Sequence, residues 1–207
     1  MRRASSFGPV ILLAAILVLA ARTGLAQECL DCHATPLDPA RPGLTIACEN
    51  FAASVHGPFG CAGCHTGVSG FPHGPVELPQ CAACHSGAAE QYASGVHGQS
   101  VQSGQAGAAR CQDCHGLTHA IRPVGDAGSP ASRRRLPQTC GGCHANVTLM
   151  RQFRLPLSRP LESYSRSVHA RALAEGRGGA TCADCHGAHA IFAPTDARCS
   201  IRQGDSH

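Results

Sequence analysis

The sequence has no lysine and no tryptophan, only two tyrosines, and few large aliphatic side chains for its length. From Gln27 onward, Leu, Ile, Val and Phe make up 28 of 181 residues, about 15%, which is below the level of a chain that builds its own hydrophobic core. Such a composition is typical of disordered proteins, but those usually carry a high net charge. Here the same stretch contains 14 arginines and 13 acidic residues, so its net charge is small. A bulky bound cofactor that supplies apolar mass accounts for both observations.

The N-terminus has the features of a secretory signal peptide. Two arginines precede an apolar run over residues 10–21, and small residues follow up to Ala26. The run is shorter than the roughly 20 residues that an ordinary membrane span needs. We therefore predict a signal peptide over residues 1–26 and a periplasmic or extracellular mature chain over residues 27–207. A membrane association would require a partner or an uncleaved signal anchor.

Cysteine is abundant, and its arrangement is regular. Fourteen cysteines are present, and twelve of them form six copies of the pattern Cys-x-x-Cys-His. The cysteines of the copies are Cys29 and Cys32, Cys61 and Cys64, Cys81 and Cys84, Cys111 and Cys114, Cys140 and Cys143, and Cys182 and Cys185, and the histidines are His33, His65, His85, His115, His144 and His186. Two thiols at this spacing reach the two vinyl groups of one haem, and the adjacent imidazole is placed to bind the iron. The pattern predicts six covalently attached haems of the c type.

Two other uses of paired cysteines compete with this interpretation. Tetrahedral zinc sites also contain such pairs, but they do not require a histidine directly after every second cysteine. Disulfides suit a secreted protein, but a disulfide framework built wholly from Cys-x-x-Cys-His units is not expected. Cys48 and Cys199 lie outside every copy, and nothing in the sequence brings them together as a disulfide.

With these six motifs, the chain resembles the multihaem c-type cytochromes that carry electrons in the bacterial periplasm and outside the cell. The resemblance covers residues 27–197. It implies a mainly α fold with extensive loops, in which short helices wrap around a stack of covalently bound haems. It also implies histidine on both faces of most irons, and a role in periplasmic respiration or extracellular electron export.

A second repeat surrounds the haem motifs. Three segments place an aromatic residue five positions before the histidine of a Val-His pair: Phe51 to His56, Tyr92 to His97 and Tyr164 to His169. On a helix, the aromatic residue and the valine would share one face. Together with the motifs that follow, these segments predict two-haem modules at about 51–85 and 92–144, and an incomplete module at 164–207.

Seven histidines remain outside the motifs. Six of them lie within the repeats and equal the irons in number, so we predict them as the second axial ligands: His56, His73, His97, His119, His169 and His189. His207 lies at the terminus, and Met150 is the one methionine after the signal peptide, which argues against methionine ligation. The sequence does not reveal which histidine binds which iron.

Irons with two histidine ligands have no open position for a substrate. We therefore expect an electron-transfer protein rather than an enzyme, relaying electrons from quinol-linked or periplasmic donors to a terminal reductase or an outer-membrane acceptor. The absence of lysine excludes the lysine-ligated catalytic haem of related nitrite-reducing enzymes. The alternative is a subunit or fragment of a multihaem oxidoreductase with one open iron, for which His73 is the weakest of the predicted ligands. A protomer of a haem filament is a third hypothesis.

The charged residues argue against nucleic acid as a partner. The formal net charge is +4, but the two propionates of each of six haems would make the haem-loaded protein acidic. Arg133, Arg134 and Arg135 lie in a stretch rich in Pro, Ser and Gly, which we interpret as a solvated loop. We expect redox proteins as partners and no nucleic acid.

The third module stops after Ile191 without a second haem motif. The first two modules each continue to such a motif, so the sequence predicts the front part, or a shortened copy, of a longer cytochrome. In that case residues from about Ala193 onward would be poorly ordered, and one of the last two haems would lack a complete ligand set.

Overall fold

A computed structural model of the chain describes residues 28–36, 40, 44–156 and 159–201. The predicted signal peptide and His207 lie outside these residues. The chain divides into two compact units, Met1–Pro79 and Gln80–His207. Among the helices of the described residues, none is long and apolar enough to cross a bilayer.

The described residues are mainly helical and contain no strand, which confirms the mainly α class. The helices are short. The first unit is helical over residues 28–33 (α1) and Cys48–Ala52 (α2), with a 3-10 turn at Gly57–Phe59. The second unit contains α3 (Ser86–Ser94), α4 (Val96–Gln102), α5 (Cys111–His115), α6 (Leu136–His144), α7 (Val147–Gln152), α8 (Pro160–Ser165), α9 (Val168–Ala174) and α10 (Cys182–His186), with 3-10 turns at Cys81–Ala83 and Thr118–Ala120. One or two residues join α3 to α4, α6 to α7 and α8 to α9, and longer loops join most of the others.

Two of the haem motifs form one-turn helices of their own. Helices α5 and α10 begin at the first cysteine and end at the histidine. The third helical residue, Asp113 in α5 and Asp184 in α10, accepts the backbone N–H of the residue before the helix, in both cases at 2.6 Å. The glycines that follow, Gly116 and Gly187, have φ angles of 96° and 82°, which end the helix without strain. The sequence Cys-x-Asp-Cys-His-Gly thus folds locally and keeps both cysteines and the histidine within one turn.

The helix breaks within each aromatic-Val-His segment. In the second module Tyr92 lies in α3, whereas Val96 begins α4. In the third module α8 and α9 are separated in the same way, and the Ser167 hydroxyl accepts the N–H of Ala170 at 3.1 Å to start α9. The expectation that the aromatic residue and the valine share one helix face is therefore wrong, because a new helix begins between them.

Helices α3 and α4 approach each other closely at a glycine. A Cβ atom on Gly98 would lie 2.1 Å from the carbonyl oxygen of Tyr92, far inside van der Waals contact. The Tyr92 hydroxyl donates to the carbonyl of Ala109 at 2.7 Å, and the Tyr164 hydroxyl donates to the carbonyl of Ala180 at 2.9 Å. Each tyrosine therefore ties the end of its helix to the residues that precede the next haem motif.

Residues 193–201 form hydrogen-bonded turns and bury one side chain, that of Cys199. The N–H groups of Asp196 and Cys199 each donate to a carbonyl three residues back, and the same two turns occur around Asp126 and Ser129 in the second module. Cys199 is 8% exposed and takes the place of Ser129, which is 1% exposed. The expectation of poor order from about Ala193 onward is therefore wrong for this segment, because the buried residue and its turns anchor it. Residues 202–207 lie outside the described part of the chain.

Few hydrophobic side chains are buried. Among the described residues, the hydrophobic side chains in the core are those of Met150 and Cys199, which are 6% and 8% exposed. Leu78 and Leu117, by contrast, are 80% and 78% exposed. The polypeptide by itself leaves much of its apolar surface accessible, as the composition indicates.

Replacing Gly98 with Ala should destabilise the folded protein by about 1–3 kcal/mol, because the new methyl group must push α4 away from the carbonyl of Tyr92. Gly87 of α3 is the matched control, since no atom lies within 4 Å of the position that its Cβ would take. Gly87→Ala should be neutral or stabilising by up to about 1 kcal/mol. Denaturant unfolding followed by circular dichroism measures both variants. Equal stability of the two would contradict the close approach of α3 and α4.

Candidate metal centres

The haem motifs meet in pairs through their first cysteines. In each pair the neighbouring thiol changes the pKa of at least one cysteine. The pairs are Cys29 with Cys61 in the first unit, and Cys81 with Cys111 and Cys140 with Cys182 in the second unit. Motifs that are consecutive in sequence are therefore neighbours in space.

These contacts change the acidity of the thiols before any haem is attached. Burial, and next the neighbouring thiol, raises the pKa of Cys61 and that of Cys111. The hydrogen bond between Cys140 and Cys182 raises the pKa of the Cys140 thiol and lowers the pKa of Cys182 to about 7. The lowered pKa favours the thiolate form of Cys182 over that of Cys140.

Three motif histidines each lie beside a histidine predicted as a second axial ligand. The ring centres are 5.9 Å apart in the pair His33 and His73, 6.0 Å apart in the pair His115 and His189, and 6.1 Å apart in the pair His97 and His144. Each pair combines one histidine of a motif with one from outside the motifs. The structure thus brings together six of the twelve predicted ligands, and it assigns partners that the sequence does not reveal.

These separations fit two imidazoles on opposite sides of one metal ion. A ring nitrogen lies about 2 Å from a first-row metal ion that it binds and about 1 Å from its own ring centre, so the two ring centres come about 6 Å apart. Two imidazoles are also one of the axial ligand sets that haem iron takes. The residues of all three pairs therefore fit a haem iron.

Hydrogen bonds orient both rings of the first pair. Nδ1 of His33 lies 2.8 Å from the carbonyl oxygen of Leu44, and Nδ1 of His73 lies 2.8 Å from that of Gly74. A carbonyl oxygen only accepts, so Nδ1 must carry the proton in each ring. The lone pair of each imidazole then resides on Nε2, the nitrogen left for a metal ion.

Burial favours the neutral form of three other paired histidines. It lowers the pKa of His97, His115 and His144, and a neighbouring histidine in each case lowers it further. For His97 that neighbour is His144, its partner in the pair. A neutral imidazole is the form that binds metal, so these pKa shifts favour ligation near pH 7.

Backbone contacts hold His189 near the second module. The N–H of Val96, the first residue of α4, donates to the carbonyl of Ile191 at 2.8 Å. A Cβ atom on Gly95 would lie 2.9 Å from the backbone nitrogen of Ile191. This close approach brings the segment that carries His189 against the start of α4.

A cleft of about 820 Å³ opens beside His144. Val147, Met150 and Leu161 contribute apolar lining, and Arg151 and Arg159 lie at the same cleft. The apolar lining suits the ring of a haem, and the arginines suit its two carboxylates.

The other predicted ligands occupy several settings. The His56 ring centre lies 6.5 Å from that of Phe59, and His119 lies in the Thr118–Ala120 turn. The charge of His85 contributes to the lowered pKa of His115, and the charge of His186 contributes to that of His144. His65 interacts with other residues of the protein. His169 is exposed near the start of α9, and His186 is exposed at the end of α10.

Within the described residues, no group of three or more His, Cys, Asp or Glu side chains converges on one point as a metal site. A bis-histidine haem takes two protein ligands for its iron, so such a group is not required. All fourteen cysteines are free thiols in the structure, including Cys48 and Cys199.

The sequence analysis missed a polar cluster at the sixth motif. Arg133 donates to both carboxylate oxygens of Asp184, each at 3.0 Å, and to the carbonyl of Gly179. The Thr181 hydroxyl donates to the same carboxylate at 2.8 Å. The Arg133 side chain is 56% exposed, as expected of a solvated loop, but it also binds the motif, which the sequence analysis did not predict. The recurring aspartate before the second cysteine was the available signal, since it is the third residue of the motif helix.

Compared with protein-family models, with curated proteins and with solved structures, the chain matches none of them.

Replacing Asp184 with Ala should lower stability by about 1–2 kcal/mol at pH 7, because it removes the cap of α10 and the Arg133 pair. Hydrogen bonds from Arg133 and Thr181 hold the pKa of Asp184 well below its usual value. A folded-state pKa below the unfolded one contributes stability above about pH 4, and this contribution is lost as the pH falls toward the folded pKa. The gap between wild type and variant should therefore narrow below about pH 4.

Urea unfolding at pH 7 and pH 3 measures this gap. Asp113→Ala is the control, since Asp113 occupies the same position of α5 and accepts the N–H of Arg110. Asp113→Ala should lower the free energy of unfolding by less than Asp184→Ala does. A gap for Asp184→Ala that is equal at both pH values would refute the electrostatic part of this account.

Proposed function

We propose that the chain is an electron-transfer protein, a c-type cytochrome with six covalently attached haems that relays electrons between redox partners. The observation that carries the proposal is the set of three histidine pairs at 5.9–6.1 Å. Each pair joins the histidine of a Cys-x-x-Cys-His motif to a histidine that the sequence analysis selects independently. Such a match is expected if both residues bind one iron, and zinc or disulfide chemistry offers no reason for it.

In this proposal, the twelve motif cysteines hold the haems through thioether bonds, and the six motif histidines are the first axial ligands. His73, His189 and His97 are the second ligands for the irons of His33, His115 and His144, respectively. Haem iron with two histidine ligands supplies reversible one-electron redox chemistry. The polypeptide fixes the imidazoles and excludes other ligands, which favours a carrier over a catalyst.

The contacts between motifs support transfer along the chain. Cysteines of consecutive motifs are electrostatic neighbours within each pair, such as Cys140 and Cys182. Haems attached at neighbouring cysteines would lie close to each other. Electrons would then pass between neighbouring haems within each unit.

The sparse core supports the same proposal. Leu78 and Leu117, both exposed, lie near haem motifs in sequence, three residues before Cys81 and two residues after His115. Apolar haem surface would cover such side chains and supply the burial that the polypeptide lacks. We further propose export to the periplasm or the cell exterior, with redox proteins as partners.

The first test is the intact mass of the denatured protein. Thioether bonds survive denaturation, so we expect the mass of the mature chain plus six haems. A spectrum without any covalent haem would defeat the proposal. Fewer than six haems would limit it to the motifs that peptide mapping finds modified.

The second test concerns one ligand pair. His97→Ala should convert one haem, that of Cys140 and Cys143, from low-spin to high-spin, because His144 alone then binds its iron. Electron paramagnetic resonance of the oxidised protein measures the change. Gln99→Ala, an exposed position of the same helix, is the control and should leave all haems low-spin. An unchanged spectrum for His97→Ala would remove that residue from the ligand set.

A further inference from the structure

The ion pair of Arg133 and Asp184 joins two haem motifs that are consecutive in sequence. Arg133 lies three positions before α6, which carries the fifth motif, and Asp184 lies within α10, which is the sixth motif. The Arg133 guanidinium donates to both carboxylate oxygens at 3.0 Å and to the carbonyl oxygen of Gly179 at 3.0 Å. The third hydrogen bond fixes the guanidinium against the segment that leads into α10.

The carboxylate of Asp184 lies where a charge matters for electron transfer. Asp184 directly precedes Cys185, in the same turn that carries Cys182 and His186. In the proposed function, reduction adds one negative charge at the iron of this motif, and a carboxylate in the same turn opposes that charge. The groups that bind the carboxylate decide how much of this opposition remains.

Two kinds of donor bind this carboxylate. Thr181, which is 3% exposed, donates its backbone N–H at 2.6 Å and its hydroxyl at 2.8 Å, and both are neutral groups. Arg133 adds a full positive charge through two parallel hydrogen bonds, a geometry that is stronger than a single neutral bond. The side chains of Arg133 and Asp184 are 56% and 38% exposed, so solvent screens part of the interaction.

The arginine distinguishes the sixth motif from the fourth. Asp113 takes the place of Asp184 in α5, and it likewise accepts the N–H of the residue before its helix. The Leu-Pro-Gln approach to the fifth motif begins at Leu136, and the same approach to the third motif begins at Leu78. Three residues before Leu78 stands Pro75, which has no charge. The later repeat thus supplies a cation at a position where the earlier one has none.

We propose that Arg133 is a positioning residue for electron transfer, which neutralises Asp184 and so keeps the reduction potential of the haem at Cys182 and Cys185 above the value that a bare carboxylate would give. This inference rests on the proposed function. Hydrogen bonds near the ligands and the local dielectric are among the means by which a protein sets a haem potential. A change in this potential would alter how readily the sixth haem takes electrons from its neighbours.

Redox titration of the haem-loaded protein, followed by its visible spectrum, tests the inference. Arg133→Gln should lower the potential of one of the six one-electron steps, because it leaves the carboxylate uncompensated, and Asp184→Asn should raise the potential of the same step. At a fixed solution potential, the ratio of reduced to oxidised haem in that step should change by roughly threefold to tenfold, as expected of one unit charge near a partly exposed site. The double variant should return close to wild type.

Opposite signs are the decisive result, since a loss of packing alone gives no reason for the two variants to differ in sign. Shifts of both single variants in the same direction, or a shift in neither, would overturn the inference. If Arg133→Gln is not exported, Asp184→Asn decides by itself, and a potential that is unchanged or lower would overturn the inference.

Two further variants separate charge from structure. Arg133→Lys keeps the charge but loses the two parallel hydrogen bonds, and its potential should stay close to wild type. A potential as low as that of Arg133→Gln would overturn the inference. Arg134→Gln removes the same charge from the next exposed position and is the matched control, which should leave all six steps unchanged. Equal shifts for Arg134→Gln and Arg133→Gln would show that the ion pair is not the cause, and would overturn the assignment.

Failure of the proposed function is distinguishable, because it would leave the denatured protein without covalent haem. Failure of this inference leaves six haems in the mass spectrum of each variant and no opposite shifts in potential.

Discussion

The approach of imidazole rings from separate segments is the contact on which the arrangement of the second unit depends. His97 and His144 belong to different helices, α4 and α6, and His115 and His189 belong to different modules. A metal ion bound by both members of a pair would join segments that are far apart in sequence. Because metal binding contributes directly to folding free energy, such links would replace part of the hydrophobic core that this chain lacks. Partial burial, which lowers the pKa of His97, and the close approach of Ile191 to Gly95 both favour this arrangement.

Local hydrogen bonds that recur in the modules position the residues predicted as ligands. An aspartate caps the one-turn helix of a motif, and a glycine in the left-handed conformation ends it. A tyrosine hydroxyl anchors the preceding helix to the carbonyl before the motif. Each of these contacts spans fewer than about twenty residues, so each module carries its own scaffold. The third module has the same scaffold, but Val168 and His169 stay exposed on it.

The departures from expectation have a common physical cause. The expectation that an aromatic residue and a valine four positions later share one face required a continuous helix. In the third module a new helix, capped by Ser167, begins before the valine is reached. The interpretation of the arginine segment as a solvated loop assumed that no acceptor lies nearby. Asp184, from a distant part of the chain, accepts two hydrogen bonds from the guanidinium of Arg133. The expectation of a poorly ordered tail treated Cys199 as incidental. Cys199 is instead buried at the position that Ser129 occupies in the second module. In each case a hydrogen bond or a buried contact, which spacing alone does not reveal, decided the local structure.

The sequence by itself determined the chemistry of the sites and the class of the fold. Six Cys-x-x-Cys-His units specify their ligands by covalent spacing, which is a local property, and a composition rich in glycine and proline with few aliphatic residues leads to short helices joined by loops. Only the tertiary structure decided the partners: His33 with His73 within the first unit, and His97 with His144 and His115 with His189 in the second. The physical reason is that one short helix cannot place two of its own imidazoles on opposite sides of one metal ion. The neighbour of a motif histidine therefore comes from another segment, and its identity depends on how the helices pack.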